Sequence, residues 1–130
     1  MFDEIRAAVE ANPDVLYGLL FGSGARGTLH DGSDVDVAIE LRGDAPRDPH
    51  GLRRLTRELE AAARRPVDLV LLDEAPPPIV YRAFRDGVLL LERDHAALAA
   101  RKARAIVEYL DFQPVEELCA AGVLRAARGR

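Results

Sequence analysis

The chain has 130 residues, of which 48% are hydrophobic and 31% charged, with a formal net charge of −4 at pH 7. This balance predicts one compact globular domain, excludes disorder of the whole chain, and leaves no overall basic field that would hold a nucleic acid as substrate. A single cysteine, Cys119, excludes a disulfide within the chain, and no signal peptide or apolar run of about 20 residues is present, so we expect a cytoplasmic protein.

The first half of the chain predicts one helix and two strands. Residues 3–12 carry apolar side chains at helical spacing, and Asn12-Pro13 ends that helix. The apolar run VLYGLLF, residues 15–21, predicts a buried strand that leads into a turn at Gly22-Ser23. In DVDVAIEL, residues 34–41, polar and apolar side chains alternate, which predicts a second strand with one face in the core.

The second half predicts two strands between helices. Asp48 is the expected N-cap of a helix that starts at Pro49. PVDLVLL then predicts a third strand after Pro66, the prolines 76–78 start a helix that Gly87 stops, and VLLLE predicts a fourth strand. Asp94 is expected to cap a longer helix, which breaks at Pro114 before a last amphipathic segment.

These elements predict an α/β fold with a small mixed β-sheet flanked by helices. We expect the domain to span residues 1–112, with residues 113–130 as a C-terminal helical tail that docks a partner or packs on its own domain. The interior Gly122 weakens the tail by roughly 1 kcal/mol relative to alanine, so its order depends on packing. Cys119 is expected to be a small core residue.

Three carboxylates are the candidate functional groups. Asp34 and Asp36 are two residues apart on the predicted second strand, so both project from one face. Asp68, on the third strand, can face the same side. Carboxylates this close repel one another unless a cation joins them, and paired carboxylates are typical ligands of magnesium ions in phosphoryl transfer. The pattern therefore favours a metal site.

Two other nucleotide-binding patterns are excluded. GSGARG matches the dinucleotide-binding glycine pattern, but too few residues separate Gly27 from Asp34 for the helix that this pattern requires. No lysine follows the glycines, so there is no Walker loop either. None of His30, His50 and His95 has a partner that suggests catalysis, and surface or turn positions are expected for them.

The strings GSGARG, SDVDVAIEL and VDLVLLDEAPPPIVYRAFRDGVLLLERD resemble the minimal nucleotidyltransferases of the DNA polymerase beta superfamily over roughly residues 15–112. The ending YLDFQPVEE is similar to that of members that act as antitoxins beside HEPN-domain toxins. The resemblance implies a mixed-sheet fold, two magnesium ions held by Asp34 and Asp36, and Asp68 completing the metal site near the acceptor hydroxyl. It also implies that Gly22, Ser23 and Arg26 bind the nucleoside triphosphate, which we expect to be ATP.

The same resemblance implies transfer of AMP to a tyrosine of a cognate HEPN-domain toxin in a hetero-oligomeric complex. Two alternatives remain open at this stage. One is nucleotidyl transfer to a small molecule such as an aminoglycoside, although a chain of 130 residues has no second domain to build the pocket. The other is a non-catalytic antitoxin that neutralises its partner by binding alone.

Overall fold

The computed structural model describes residues 1–22 and 34–128, and of residues 115–128 it describes only the backbone. It contains four helices and four strands in these ranges. In chain order they are α1 (Phe2–Glu10), β1 (Val15–Phe21), β2 (Val35–Leu41), α2 (Pro49–Ala63), β3 (Val67–Leu71), α3 (Pro77–Asp86), β4 (Val88–Glu92) and α4 (His95–Arg128). No helix in the described part of the chain has the length and apolar character that a bilayer span requires.

The four strands form one mixed sheet in the order β3-β2-β1-β4. β1 pairs antiparallel with both β2 and β4, whereas β2 and β3 are parallel. Parallel neighbours need a crossover connection, and α2 supplies it between β2 and β3. The predicted α/β fold with a small mixed sheet is thus confirmed.

Each face of the sheet is covered by two helices. On one face, α1 and α2 pack through residues at helical spacing, such as Ile5, Val9, Leu55 and Leu59. On the other face, α3 and α4 pack over a second cluster that contains apolar side chains from β1 and β2. The members of this cluster are Tyr17, Leu19, Phe21, Ala38, Leu72, Val80, Ala83, Phe84 and Ala105.

The predicted helix caps are present. The backbone N–H of His50 donates to Asp48 Oδ1 at 3.2 Å, and Pro49 is the first residue of α2. At the start of α4 the N–H of Ala97 donates to Asp94 Oδ1 at 2.9 Å. These side chains accept from the free amides of a helix N-terminus, which is the stabilisation that an N-cap provides.

Helix α3 ends just before Gly87, as predicted, and the structure shows a steric reason for the glycine. The helix ends at Asp86, and Gly87 has an extended backbone with φ −72° and ψ 147°. A β-carbon at Gly87 would overlap the carbonyl oxygen of Ala83. Glycine is therefore required here by the close approach of the backbone.

The predicted break at Pro114 is wrong. α4 runs as a single helix from His95 to Arg128 with Pro114 inside it. Proline removes one helical hydrogen bond and crowds the carbonyl four residues earlier, which weakens a helix at that point without always ending it. The expectations for Cys119 and the apolar tail positions concern side chains beyond residue 114, which lie outside the described part of the structure.

Candidate active site

The sheet brings two of the predicted carboxylates together. Asp36 on β2 is the register partner of Asp68 on β3 in the parallel pair. Neighbouring strands lie about 4.8 Å apart, so side chains at paired positions on the same face are adjacent. Asp36 is half-buried and Asp68 is exposed. The predicted shared face of these two residues is therefore present.

Asp34 directly precedes β2 and is exposed. It lies two residues before Asp36, so the alternation of an extended chain directs both side chains to the same side. On the opposite side, Val35 and Val37 are fully buried in the cluster under α1 and α2. Burial of the valines holds the strand in the register that exposes the aspartates.

Gly22 lies next to Asp36 and has a backbone conformation that favours glycine. It follows β1 with φ +70°, a left-handed backbone that residues with a β-carbon adopt at a cost. A β-carbon at Gly22 would also overlap Oδ2 of Asp36. Phe21, the preceding residue, is the register partner of Asp36 on β1. The turn at the end of β1 thus lies against the carboxylate of β2, as a glycine turn beside the acids predicts.

The other two predicted nucleotide-binding residues, Ser23 and Arg26, lie outside the described residues, as does His30. The two remaining histidines are exposed, as expected. His95 contacts the Glu92 carboxylate, and His50 is in the first turn of α2. Neither adjoins the Asp36–Asp68 pair in sequence or in strand register.

The donor set fits a hard divalent cation in chemistry, since carboxylate oxygens are the ligands that magnesium prefers. In the two described ranges, no group of three or more His, Cys, Asp or Glu side chains is close enough to hold a metal ion. The in-register pair of Asp36 and Asp68 supplies two of the predicted ligands. Asp34 lies just before the strand, and the structure does not bring it into a group of three carboxylates with them.

Glu40 is a further carboxylate on this face that the sequence reading left without a role. It lies four residues after Asp36 on β2, about 13 Å along the strand, and pairs with Tyr17 of β1. Burial, and next the nearby Asp73 carboxylate, raise the pKa of Glu40 above its ordinary value, against the opposing effect of three arginines, Arg47, Arg101 and Arg104. The continued alternation in DVDVAIEL was the signal that could have drawn attention to it.

A cavity of about 290 Å³ lies beside Glu40, between β1 and the start of α4. Arg101, 7% exposed, is one of its lining residues and donates from Nη2 to the carbonyl of Leu72 at 3.2 Å. Burial also raises the pKa of Tyr17, the strand partner of Glu40. This end of the face is covered by α4, whereas Asp68 at the other end is exposed.

The sequence matches the model of the polymerase beta nucleotidyltransferase family over residues 3–96. The chain belongs to this family. The match covers every strand, including those that carry Asp36 and Asp68. A search of the curated proteins finds no match.

Several solved structures share the fold. A toxin–antitoxin structure with AMP-PNP superposes with a TM-score of 0.81 at 24% identity, covering 95% of this chain and 98% of that one. A structure of the toxin–antitoxin MntA-HepT gives 0.74 at 21% identity, with coverage of 95% and 96%. A tri-AMPylated Shewanella oneidensis HEPN toxin in complex with MNT antitoxin gives 0.73 at 19%, with coverage of 95% and 99%. At these identities the likeness establishes the polymerase beta-like nucleotidyltransferase fold over nearly the whole chain.

Proposed function

We propose that this chain is an antitoxin enzyme of the cytoplasm that transfers AMP from ATP to a tyrosine of a cognate HEPN-domain toxin. The observation that carries the proposal is the in-register pair of Asp36, half-buried against the Gly22 turn, and Asp68, which is exposed. Family membership supports the reaction class. The acceptor is suggested by two structural neighbours, one with AMP-PNP and one containing an AMPylated HEPN toxin with its antitoxin.

In this proposal the triphosphate of ATP binds at the turn after β1. Gly22 allows close approach of the backbone there, because no β-carbon intervenes between the turn and Asp36. Ser23 would donate a hydrogen bond to a phosphate oxygen, and the planar guanidinium of Arg26 suits bidentate phosphate binding. These contacts would hold the reacting phosphate beside the carboxylates.

Asp34, Asp36 and Asp68 would hold two magnesium ions, whose positive charge stabilises the negative charge that develops on the phosphates during transfer. Asp68 lies on the edge strand β3 and is exposed, so an acceptor from another protein can reach it. Its carboxylate would orient the acceptor hydroxyl and accept its proton.

The transfer itself is a displacement at phosphorus. The acceptor oxygen forms a bond with the α-phosphorus, and the bond from that phosphorus to the oxygen bridging to the β-phosphate breaks. Pyrophosphate leaves with the electron pair of the broken bond. The acceptor keeps AMP as a phosphodiester, and its hydroxyl proton passes to the Asp68 carboxylate.

The test is AMP transfer to the HEPN-domain toxin of the same organism, followed by intact mass spectrometry with ATP and magnesium chloride present. Wild-type protein should add AMP to the toxin. Asp34→Asn and Asp36→Asn should each lower the rate by roughly 100-fold or more, the loss typical when an electrostatic stabiliser of a transition state is removed.

Glu40→Gln is the matched control, because it removes a carboxylate from the same strand face outside the proposed site. It should retain the wild-type rate. Near-normal transfer by either aspartate variant would refute the metal assignment. Neutralisation of the toxin by wild-type protein without any AMP addition would identify an antitoxin that acts by binding alone.

A further inference from the structure

Helix α4 carries large apolar side chains in contact with solvent. Ile106 is 43% exposed, Val107 57% and Leu110 58%. The spacing of these residues, at i, i+1 and i+4, directs them to one side of the helix. Among the described residues only two other large hydrophobic side chains are exposed, Met1 and Val88. The apolar exposure of the molecule is thus concentrated on a little over one turn of α4.

A preformed groove adjoins this stretch of α4. It lies between α3 and α4, has a volume of about 250 Å³, and is lined by Tyr81, Phe84, Arg85, Lys102 and Ile106. Three of these five side chains are aromatic or aliphatic and two are cationic, which is the composition of an apolar groove with a basic edge.

The Tyr81 ring in the wall of the groove is held by a stacking contact. The ring of Tyr81 is stacked on that of Tyr109, with centroids 4.2 Å apart and planes within 5° of parallel. The guanidinium of Arg85 lies over the same Tyr81 ring, 5.6 Å from its centroid. Stacked aromatic side chains offer a large contact area and lose little conformational entropy when a partner binds.

The rest of α4 does not fold back over this surface. The helix continues to Arg128, so residues 111–128 extend about 27 Å beyond Leu110 at 1.5 Å per residue. Ala105 is the last residue of α4 in either described core cluster. Pro114 weakens this part of the helix. Among the side chains that the structure describes, Val107 and Leu110 of α4 are left largely uncovered.

We propose that a helix of the HEPN-domain toxin docks on this surface, which we define as Tyr81, Ile106, Val107, Tyr109 and Leu110 and call the α4 surface. The inference rests on the proposed function for the identity of the partner. An amphipathic helix that lies in an apolar groove is a common mode of recognition. Arg85 is already paired with Asp86 at 2.9 Å, whereas Lys102 at the groove favours a partner helix that carries Asp or Glu beside its apolar residues.

A second copy of this chain fits the surface less well. In a two-fold symmetric dimer the same patch meets itself, so Lys102 of one groove would approach Lys102 of the other. Like charges opposed at an interface disfavour association. Lys102 therefore favours an acidic partner over a second copy. In this proposal the docking surface lies before residue 113, whereas the sequence alone located the docking segment at residues 113–130.

The test introduces a charge into the α4 surface and measures toxin binding by calorimetry. Val107→Glu and Leu110→Glu each change an exposed residue, so the fold and its melting temperature should be retained. Each should weaken binding of the HEPN-domain toxin at least tenfold, roughly the effect of losing an interface hot spot. AMP transfer at low toxin concentration should fall in parallel.

Val88→Glu is the matched control, because Val88 is a valine of 41% exposure on β4. It should bind the toxin within about twofold of wild type, since surface changes away from an interface have small effects. A third variant that lacks residues 113–130 separates this surface from the tail.

Wild-type affinity in both glutamate variants would overturn the proposal, and a loss of affinity only on truncation would move docking to the tail. If the glutamate variants lose self-association in sedimentation experiments but bind the toxin as wild type does, the surface is a homodimer interface instead. If wild-type protein binds the toxin but transfers no AMP, and the glutamate variants still lose binding, the α4 surface stands and the proposed activity fails. Absence of any toxin binding by wild-type protein would overturn both.

Discussion

The two faces of strand β2 differ in what they do for the molecule. On one face Val35, Val37 and Ile39 are fully buried between the sheet and helices α1 and α2. On the other face Asp36 and Glu40 flank Ala38, and none of the three contributes a large apolar surface. A single strand of seven residues thus contributes to the core through one set of alternate positions and presents acids through the other.

Positions that hold the core and positions that present acids are thus only one residue apart along the chain. A substitution at Val35, Val37 or Ile39 should destabilise the domain, whereas one at Asp36 or Glu40, which are only half-buried, should largely spare the fold. The carboxylate face tolerates repelling charges because the opposite face supplies the apolar burial that holds the strand in place. Changes to each face test this separation.

The largest effect on stability is expected on the apolar face. Ile39→Ala removes a fully buried side chain and should lower the free energy of unfolding by about 2–5 kcal/mol. Urea unfolding measures the loss, with Asp36→Asn as the control that changes a half-buried residue of the same strand. If Asp36→Asn destabilised the domain as much as Ile39→Ala does, stability would not depend mainly on the apolar face of β2.

The carboxylate face should respond to ligand. Magnesium with a nonhydrolysable ATP analogue at a hundredfold excess over its dissociation constant should stabilise the protein by about 2.7 kcal/mol, because the ligand binds only the folded state. Differential scanning fluorimetry would record a higher melting temperature. Asp68→Ala should shrink this shift, since it removes a carboxylate from the proposed site. An undiminished shift would remove Asp68 from that site.

The close approach of the Gly22 turn to the Asp36 carboxylate can also be tested. Gly22→Ala introduces a β-carbon at φ +70° and should cost about 1–2 kcal/mol of stability. It should also lower AMP transfer, because the added carbon displaces the Asp36 carboxylate. Gly43→Ala is a useful control, since a β-carbon there meets nothing within 4 Å. Full transfer by Gly22→Ala would show that this close approach is dispensable.

The smallest effect is expected at Glu40. Because the pKa of its carboxyl is raised in the folded state, ionisation costs stability as the pH rises above the ordinary glutamate value of 4.5. Glu40→Gln should therefore stabilise the protein at pH 7 and have progressively less effect toward pH 4. Unfolding of both proteins across this range checks the sign. A gain that is greatest at low pH would contradict the burial of this carboxyl.

Much of the fold was accessible to local reasoning because alternation and caps are local signals. The alternation in β2 and β3 correctly predicted that Asp36 and Asp68 share a face. Strand order and register could not be predicted, since they depend on contacts between residues far apart in sequence. The parallel pairing of β2 with β3 places Asp36 directly beside Asp68, and this pairing can be seen only in the assembled sheet.

The errors and omissions have similar physical origins. Pro114 was expected to end a helix because proline breaks local hydrogen bonding, but the longer helix continues on both sides of it. Glu40 drew no attention because its burial depends on α4, which joins that end of the face from more than 50 residues later in the chain. The roles of the predicted site residues as ligands all stay predictions, namely those of Gly22, Ser23, Arg26, Asp34, Asp36 and Asp68.

The parallel pairing of β2 and β3 has a consequence for how the domain folds. Asp36 and Asp68 are separated by about 30 residues, the length of a strand–helix–strand unit, so their adjacency depends on a non-local contact. Closing such a loop costs chain entropy before any pairing energy is recovered, and β3 is held at the sheet edge by β2 alone. A ribosome-bound chain that ends before residue 68 cannot contain the pair. The adjacency of these two aspartates therefore reports that the crossover between β2 and β3 is complete.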